Sequence, residues 1–249
     1  TLRGGPSLVY DGHLSYWSFL STDMRKKYQF FGQYSSWTRD HNTARQHNIR
    51  MGMNFQITDA LRISLSPSYM TLRDQIQYVS TVDYLDTRRY IRGHVDRNQV
   101  YVTIRLNYNI TPDFTIQYYG MPFISAGTYK EFKYINDPRA DDFNQRYIQY
   151  PESRISFNSD DNLYEIDENG DEANDYSFSN PDFNVKDVNS NLVIRWEYQP
   201  GSTVYLVWSR NRNDRVSDGD FRLWNDTKDL FRIYPYDVFL IKLSYRFSL

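Results

Sequence analysis

The 249 residues are 40% hydrophobic and 17% aromatic with a mean hydropathy of -0.73, a balance that excludes both a disordered and a collagen-like polymer. Cysteine is absent, which removes disulfide frameworks, thiol nucleophiles and zinc–thiolate sites. The net charge of -2 is unevenly spread: between Asn158 and Asp187 ten acidic residues face Lys186 alone, a local charge of -9.

Alternation of apolar and polar residues, the mark of strands between two different environments, recurs along the chain. It predicts nine strands, at about 14–21, 28–37, 46–57, 61–78, 92–110, 114–136, 191–198, 203–212 and 236–249. In the fifth, Val100, Val102, Ile104, Leu106, Tyr108 and Ile110 share one face, while Tyr101, Thr103, Arg105, Asn107 and Asn109 share the other. In the last, Phe239, Ile241, Leu243, Tyr245, Phe247 and Leu249 oppose Lys242, Ser244, Arg246 and Ser248.

Connections alternate in length. Thr22 to Lys26, Thr58 to Ala60, Thr111 to Asp113 and Gln199 to Ser202 read as short turns; 41–45, 83–88, 137–190 and 213–235 read as the longer set. In the last of these, Phe221 to Phe231 has the pattern of a short helix with Asp220 as its N-cap.

Short turns at one end and long loops at the other describe an all-β, antiparallel transmembrane β-barrel, of which these nine strands form the C-terminal part. The alternative is a soluble carbohydrate-binding β-sandwich with a calcium loop, because periodicity alone does not separate the two. Three features favour the barrel. The strands exceed the 5 to 6 residues or so common in globular sheets. Aromatics gather near the turn ends (Tyr28, Phe55, Tyr108, Phe114, Tyr198) as an interfacial girdle requires. The chain also ends on an amphipathic, aromatic strand whose Tyr245, Phe247 and Leu249 have the character of an assembly signal for barrel-assembly machinery. Pro67 and Pro122 interrupt predicted strands, and are expected at bulges or above the bilayer. Apolar runs such as Val238 to Ile241 are far below the roughly 20 residues of a membrane-crossing helix.

The segments Leu2-Arg3-Gly4-Gly5-Pro6, Tyr16 to Asp23, Asn180 to Asn184 and Ser190 to Ser209 together resemble the C-terminal barrel region of large Bacteroidota outer-membrane proteins labelled as a domain of unknown function. Such proteins usually carry a module similar to family-nine carbohydrate-binding modules ahead of the barrel. The resemblance implies an outer-membrane location and a glycan-related context. It transfers no catalytic residue.

Bacterial barrels have an even strand count, so nine strands imply further strands upstream and about 14 to 16 in the parent. The expected function is a channel, a transporter or a component of an outer-membrane assembly. Its partners are the lipid bilayer, the barrel-assembly machinery and another outer-membrane protein.

If the polar faces line a lumen, its wall carries Arg50, Arg62, Arg105, Arg195, Lys242 and Arg246 against Glu197 alone. Such an excess of fixed positive charge favours anions; a closed interior in which missing strands supply carboxylates is the competing reading. In the acidic loop, Asp167, Asn169, Asp171 and Asp175 flank Gly170 in a calcium-like spacing, but the EF-hand pattern is incomplete, and a solvated loop is the alternative. No other cofactor is expected. His13, His41, His47 and His94 have no metal-ligand spacing, and His47 or His94 would serve a nucleophile only if the fold supplied one. Neither an enzyme nor a nucleic-acid binder is expected.

Overall fold

The computed structural model describes residue 5 and residues 7–247. Six antiparallel strands come first, each paired with the next: β1 (His13–Ser21), β2 (Tyr28–Arg39), β3 (Ala44–Gln56), β4 (Leu61–Tyr84), β5 (Thr87–Thr111) and β6 (Phe114–Ile135). Helix α1 (Phe143–Arg146) and β7 (Tyr147–Gln149) follow, with β7 added to β6. Three short strands, β8 (Ile155–Asn158), β9 (Leu163–Ile166) and β10 (Tyr176–Ser179), make a separate small sheet. The chain then returns to β6 through β11 (Phe183–Gln199) and continues through β12 (Ser202–Val216), helix α2 (Leu223–Arg232) and β13 (Tyr236–Ser244).

The result is all-β and antiparallel, with all nine long strands in the order the alternation predicts. β1 and β13 are the edges of the main sheet; among the described residues they are not paired with each other, so the sheet is open.

Turn chemistry explains the short-turn end. Thr58 Oγ1 accepts the Ala60 and Leu61 N–H groups, and Thr111 Oγ1 accepts Phe114 N–H at 3.0 Å. Between β11 and β12, Gly201 holds φ +80°, open to glycine without strain, and its N–H donates to Glu197 Oε1 at 2.9 Å.

Several expectations need correction. The connections at 41–45 and 83–88 are not long: β2 runs on to Arg39, and β4 and β5 continue to a two-residue turn at Leu85-Asp86. Charged residues and register shifts at Asp74/Gln77, Tyr78/Ser80 and Arg92/His94 break the alternation there without ending the pairing. β4, β5 and β6, at 24, 25 and 22 residues, therefore form a tall arm at the far end.

β11 begins at Phe183, eight residues earlier than predicted, so the long connection closes at 182. β13 ends at Ser244, opposite Thr203, because β12 begins at Ser202 and offers no partner beyond it. The prolines do not lie at bulges. Pro67 pairs with Val102 and Pro122 with Val188, and the register is the same on either side of each. Each leaves a gap in one flanking ladder only, as a missing N–H dictates.

The far end carries the buried core. Ile91, Phe132, Tyr150, Ile166, Tyr176 and Phe178 clamp the small sheet onto the arm. Ile76, Ile135 and Tyr147 continue that layer toward β7. A third cluster joins Leu230 of α2 to Ile124 and Val188.

Candidate functional site

Register converts the alternation into two continuous surfaces. Tyr69 lies opposite Val100, Leu65 opposite Ile104, Leu106 opposite Tyr118, Ile116 opposite Ile194, Leu206 opposite Ile241, and Ile49 opposite Tyr69. The long strands thus give most of their apolar residues to one face, while Trp17, Phe19, Phe31, Tyr119, Phe123 and Tyr205 lie on the other. On β5 that face runs from Val100 to Ile110; at ~3.3 Å per residue and a ~40° tilt this spans roughly 25 Å, the height of a bilayer's apolar band.

The band has sharp rims. At the short-turn end, Tyr28, Phe55, Tyr108, Phe114 and Trp196 lie on its face, with Tyr28 and Phe55 in contact at 6.1 Å and Trp196 paired with Phe114. At the far end come Tyr34, Tyr69, Trp208 and Phe239, the last two stacked at 6.1 Å. Just above them the same face turns charged. Asp96 meets Arg73 at 3.0 Å and Lys130 at 2.9 Å, and Asp237 meets Arg210 at 2.8 Å. Tyr34, Tyr69 and Trp208 lie away from the short turns and Trp196 beside one; none of the four is among the aromatics expected at the girdle.

The opposite face is polar, and it gathers the charged residues singled out from sequence. Arg50 pairs with Ser68, Arg62 with Asn107, Arg105 with Tyr119, Arg195 with Thr115, Glu197 with Thr203 and Lys242 with Tyr205. Arg195 is neutralised by Glu197 at 2.5 Å. Among the described residues Arg50, Arg62, Arg105 and Lys242 have no carboxylate partner. Arg62 donates to Gln56 Oε1 at 2.8 Å, while Arg50, Arg105 and Lys242 lie over the rings of Phe31, Tyr119 and Tyr205. Arg246 stands past the end of β13, its N–H on Ser202 Oγ at 3.0 Å. The same face also holds Asp74, paired with Arg39 at 3.2 Å, and Asp187, opposite Phe123. Asp187 was missed because β11 begins earlier than its alternation suggested.

In the acidic loop the candidate cation ligands fold onto their own backbone. Asp167 Oδ1 accepts the Gly170 N–H at 2.5 Å and its Oδ2 accepts the Glu172 N–H at 3.1 Å. Asp175 Oδ2 accepts the N–H groups of Glu168 and Asn169, and Asp171 Oδ1 accepts that of Ala173. Asn169 donates to Asp171 and Asp175. Among the described residues no group of three or more His, Cys, Asp or Glu side chains is arranged to hold a metal ion.

Glu168, which the spacing argument passed over, is the hub of this loop. Arg89 of the arm grips its carboxylate at 2.7 Å and 3.0 Å, Tyr176 donates to it, and Tyr150 and Tyr176 hydroxyls meet at 3.0 Å. The carboxylate holds the Arg89 guanidinium above its usual range. Burial raises the Tyr150 and Tyr176 hydroxyls, the latter also through Glu168.

Burial also pushes Tyr147 up to about 12, and its hydroxyl lacks a partner among the described residues. Below pH about 10, the ordinary tyrosine value, all three tyrosines are neutral in folded and unfolded chains, and their contribution is complete. From pH about 10 to 12 the unfolded chain loses the protons that the folded chain keeps, so stability falls as pH rises. The expected result is a far-end layer that loosens above pH about 10 in near-ultraviolet circular dichroism. Tyr147→Phe, which removes an unpaired buried hydroxyl, should blunt that loss without cost at neutral pH.

His47 Nδ1 lies 2.8 Å from the Tyr34 hydroxyl and 3.2 Å from that of Ser36; His94 lies 3.2 Å from Glu131 and 3.6 Å from Asp96. Among the described residues His47 meets the Ser36 hydroxyl but no carboxylate, and His94 meets two carboxylates but no hydroxyl. Tyr245 and Phe247 are exposed and pack edge-on at 4.7 Å, beyond the last strand; Leu249 lies outside the described residues.

A family model described as a domain of unknown function (DUF5916) matches residues 3–160. That stretch includes most of the Leu2 to Pro6 segment and all of Tyr16 to Asp23; the Asn180 to Asn184 and Ser190 to Ser209 segments lie outside it. No curated protein and no solved structure matches.

Proposed function

The chain belongs to the DUF5916 family, and we propose that it forms part of the wall of an outer-membrane β-barrel, a channel, transporter or assembly component, with its polar face toward the lumen. The observation that carries this reading is the apolar band, roughly 25 Å tall on β5, rimmed by aromatics at both edges and bounded by charge at the far one. A sandwich would divide such strands between two facing sheets with a shared dry core; here all nine join one sheet. The open edges at β1 and β13 are where further strands would complete the wall.

The test is detergent dependence. The full chain should require detergent to stay monodisperse and should migrate on gels with heat-modifiable mobility. Monodisperse protein in plain buffer, with the same mobility before and after boiling, would overturn the proposal.

The polar face sets the expected selectivity. Its cations without carboxylate partners attract anions into a narrow conduit. Planar-bilayer reversal potentials should show anion preference, weakened by Arg105→Glu and by Arg195→Glu. Arg105 is the cleaner position, because Arg195 is already offset by Glu197. A cation-selective wild-type pore would reject this.

A further inference from the structure

Helix α2 does not stand in the water beyond the sheet; it rides on the apolar face itself. Leu230 is 0% exposed against Ile124 and Val188, and Phe221, just ahead of the helix, meets Tyr69 at 6.3 Å. Ile124, Val188 and Tyr69 are the far-end members of the apolar band.

The rest of the helix has two unlike sectors. Asn225, Asp226, Asp229 and Arg232 line a polar cavity of about 600 Å³ whose other wall is Lys186, Asp214 and Val216, at the charged ends of β11 and β12. Trp224 and Phe231, two turns apart and therefore on one stripe, stay away from that cavity and are 79% and 57% exposed. Tyr234, immediately after the helix, is 92% exposed.

We infer that α2 is an interfacial anchor, lying in the headgroup layer of the leaflet at the far end, with Trp224 and Phe231 turned to the acyl boundary. The inference rests on the barrel proposal. One observation commits it to lipid as the occupant. The exposed aromatics are continuous with the band and its far rim of Tyr69, Trp208 and Phe239, where indole and phenol rings are favoured. In water alone, the same three aromatics would be held out at a cost with nothing gained.

Because the chain has no cysteine, single-cysteine spin labelling needs no background removal. The full chain is reconstituted in vesicles of phosphatidylcholine and phosphatidylglycerol with Trp224→Cys, Tyr234→Cys, Ile104→Cys or Asp160→Cys labelled in turn, and collisions with oxygen and with a water-soluble nickel chelate are compared. Labels at 224 and 234 should show an oxygen-to-nickel ratio severalfold above that at 160 and below that at 104. A ratio at both positions equal to that at 160, with 104 still lipid-exposed, would overturn the anchor and leave the barrel standing. Labels at 224 and 234 shielded from both collision partners would equally overturn it, since a protein would then cover the helix. Water exposure at 104 would bring down the barrel and the anchor together. Position 234, outside the helix, keeps the test decisive if Trp224→Cys perturbs folding.

Discussion

Ile104→Arg should strongly destabilise the folded, membrane-embedded form, whereas Thr103→Arg, one residue away, should leave it intact. Ile104 lies near the middle of the apolar band, between Leu65 of β4 and Gly120 of β6. In the proposed barrel an arginine there would sit at the midplane, where it costs about 2–4 kcal/mol of stability. That is a large share of the roughly 5–15 kcal/mol that holds a typical domain together. Thr103 points to the other face, among Ser66 and its polar neighbours, where a cation meets water. Urea titration of the heat-modifiable band in detergent measures both. Equal loss from the two substitutions would mean that the two faces do not differ in environment.

Removing the Glu168 carboxylate should have the second large effect, confined to the far end. Glu168→Ala leaves Arg89, whose side chain is 22% exposed, without its charge partner and strips Tyr176 of its acceptor. Charge-assisted hydrogen bonds of this kind are worth about 1.5–3 kcal/mol each, so the small sheet should detach from the arm well before the main sheet melts. Limited proteolysis should cut within 150–180 at lower temperature in the variant while the long strands stay protected. Glu168→Gln, which keeps an acceptor for Tyr176, should fall between the two. Simultaneous loss of the main sheet would show that the layer is not an independent unit.

The sequence made the nine strands visible because a sheet between two environments writes period two into every strand. What remained hidden depended on register, which alternation does not encode. Asp187 joins its surface only once β11 is placed against β6. The continuation of β4 and β5 toward Leu85 was obscured where register shifts move side chains to the opposite face. The strands β8, β9 and β10 are four residues each, too short for a periodic signal and set in a segment whose charge suggests solvation.

The helix at 223–232 was visible as a helix, but its cap was not. Arg222 takes the N-cap place with no side-chain bond, its N–H donating to Asp226 Oδ2 at 2.8 Å, while the Asp220 carbonyl receives Asn184. Nor does any local pattern tell that α2 lies on the apolar face. The cation-like spacing of Asp167, Asn169, Asp171 and Asp175 reads in the structure as a loop closed on its own N–H groups, because side-chain oxygens two to seven residues from free backbone donors meet them first.

The central claim, that one face of this sheet meets lipid and the other meets water, is tested most directly along β5. Single cysteines at 100 to 108, spin-labelled in the reconstituted full chain, report lipid or water contact residue by residue. The account predicts oxygen-accessibility maxima at Val102, Ile104 and Leu106 and nickel-chelate maxima at Tyr101, Thr103 and Arg105. Uniform access to the nickel chelate, or maxima without a two-residue period, would contradict it.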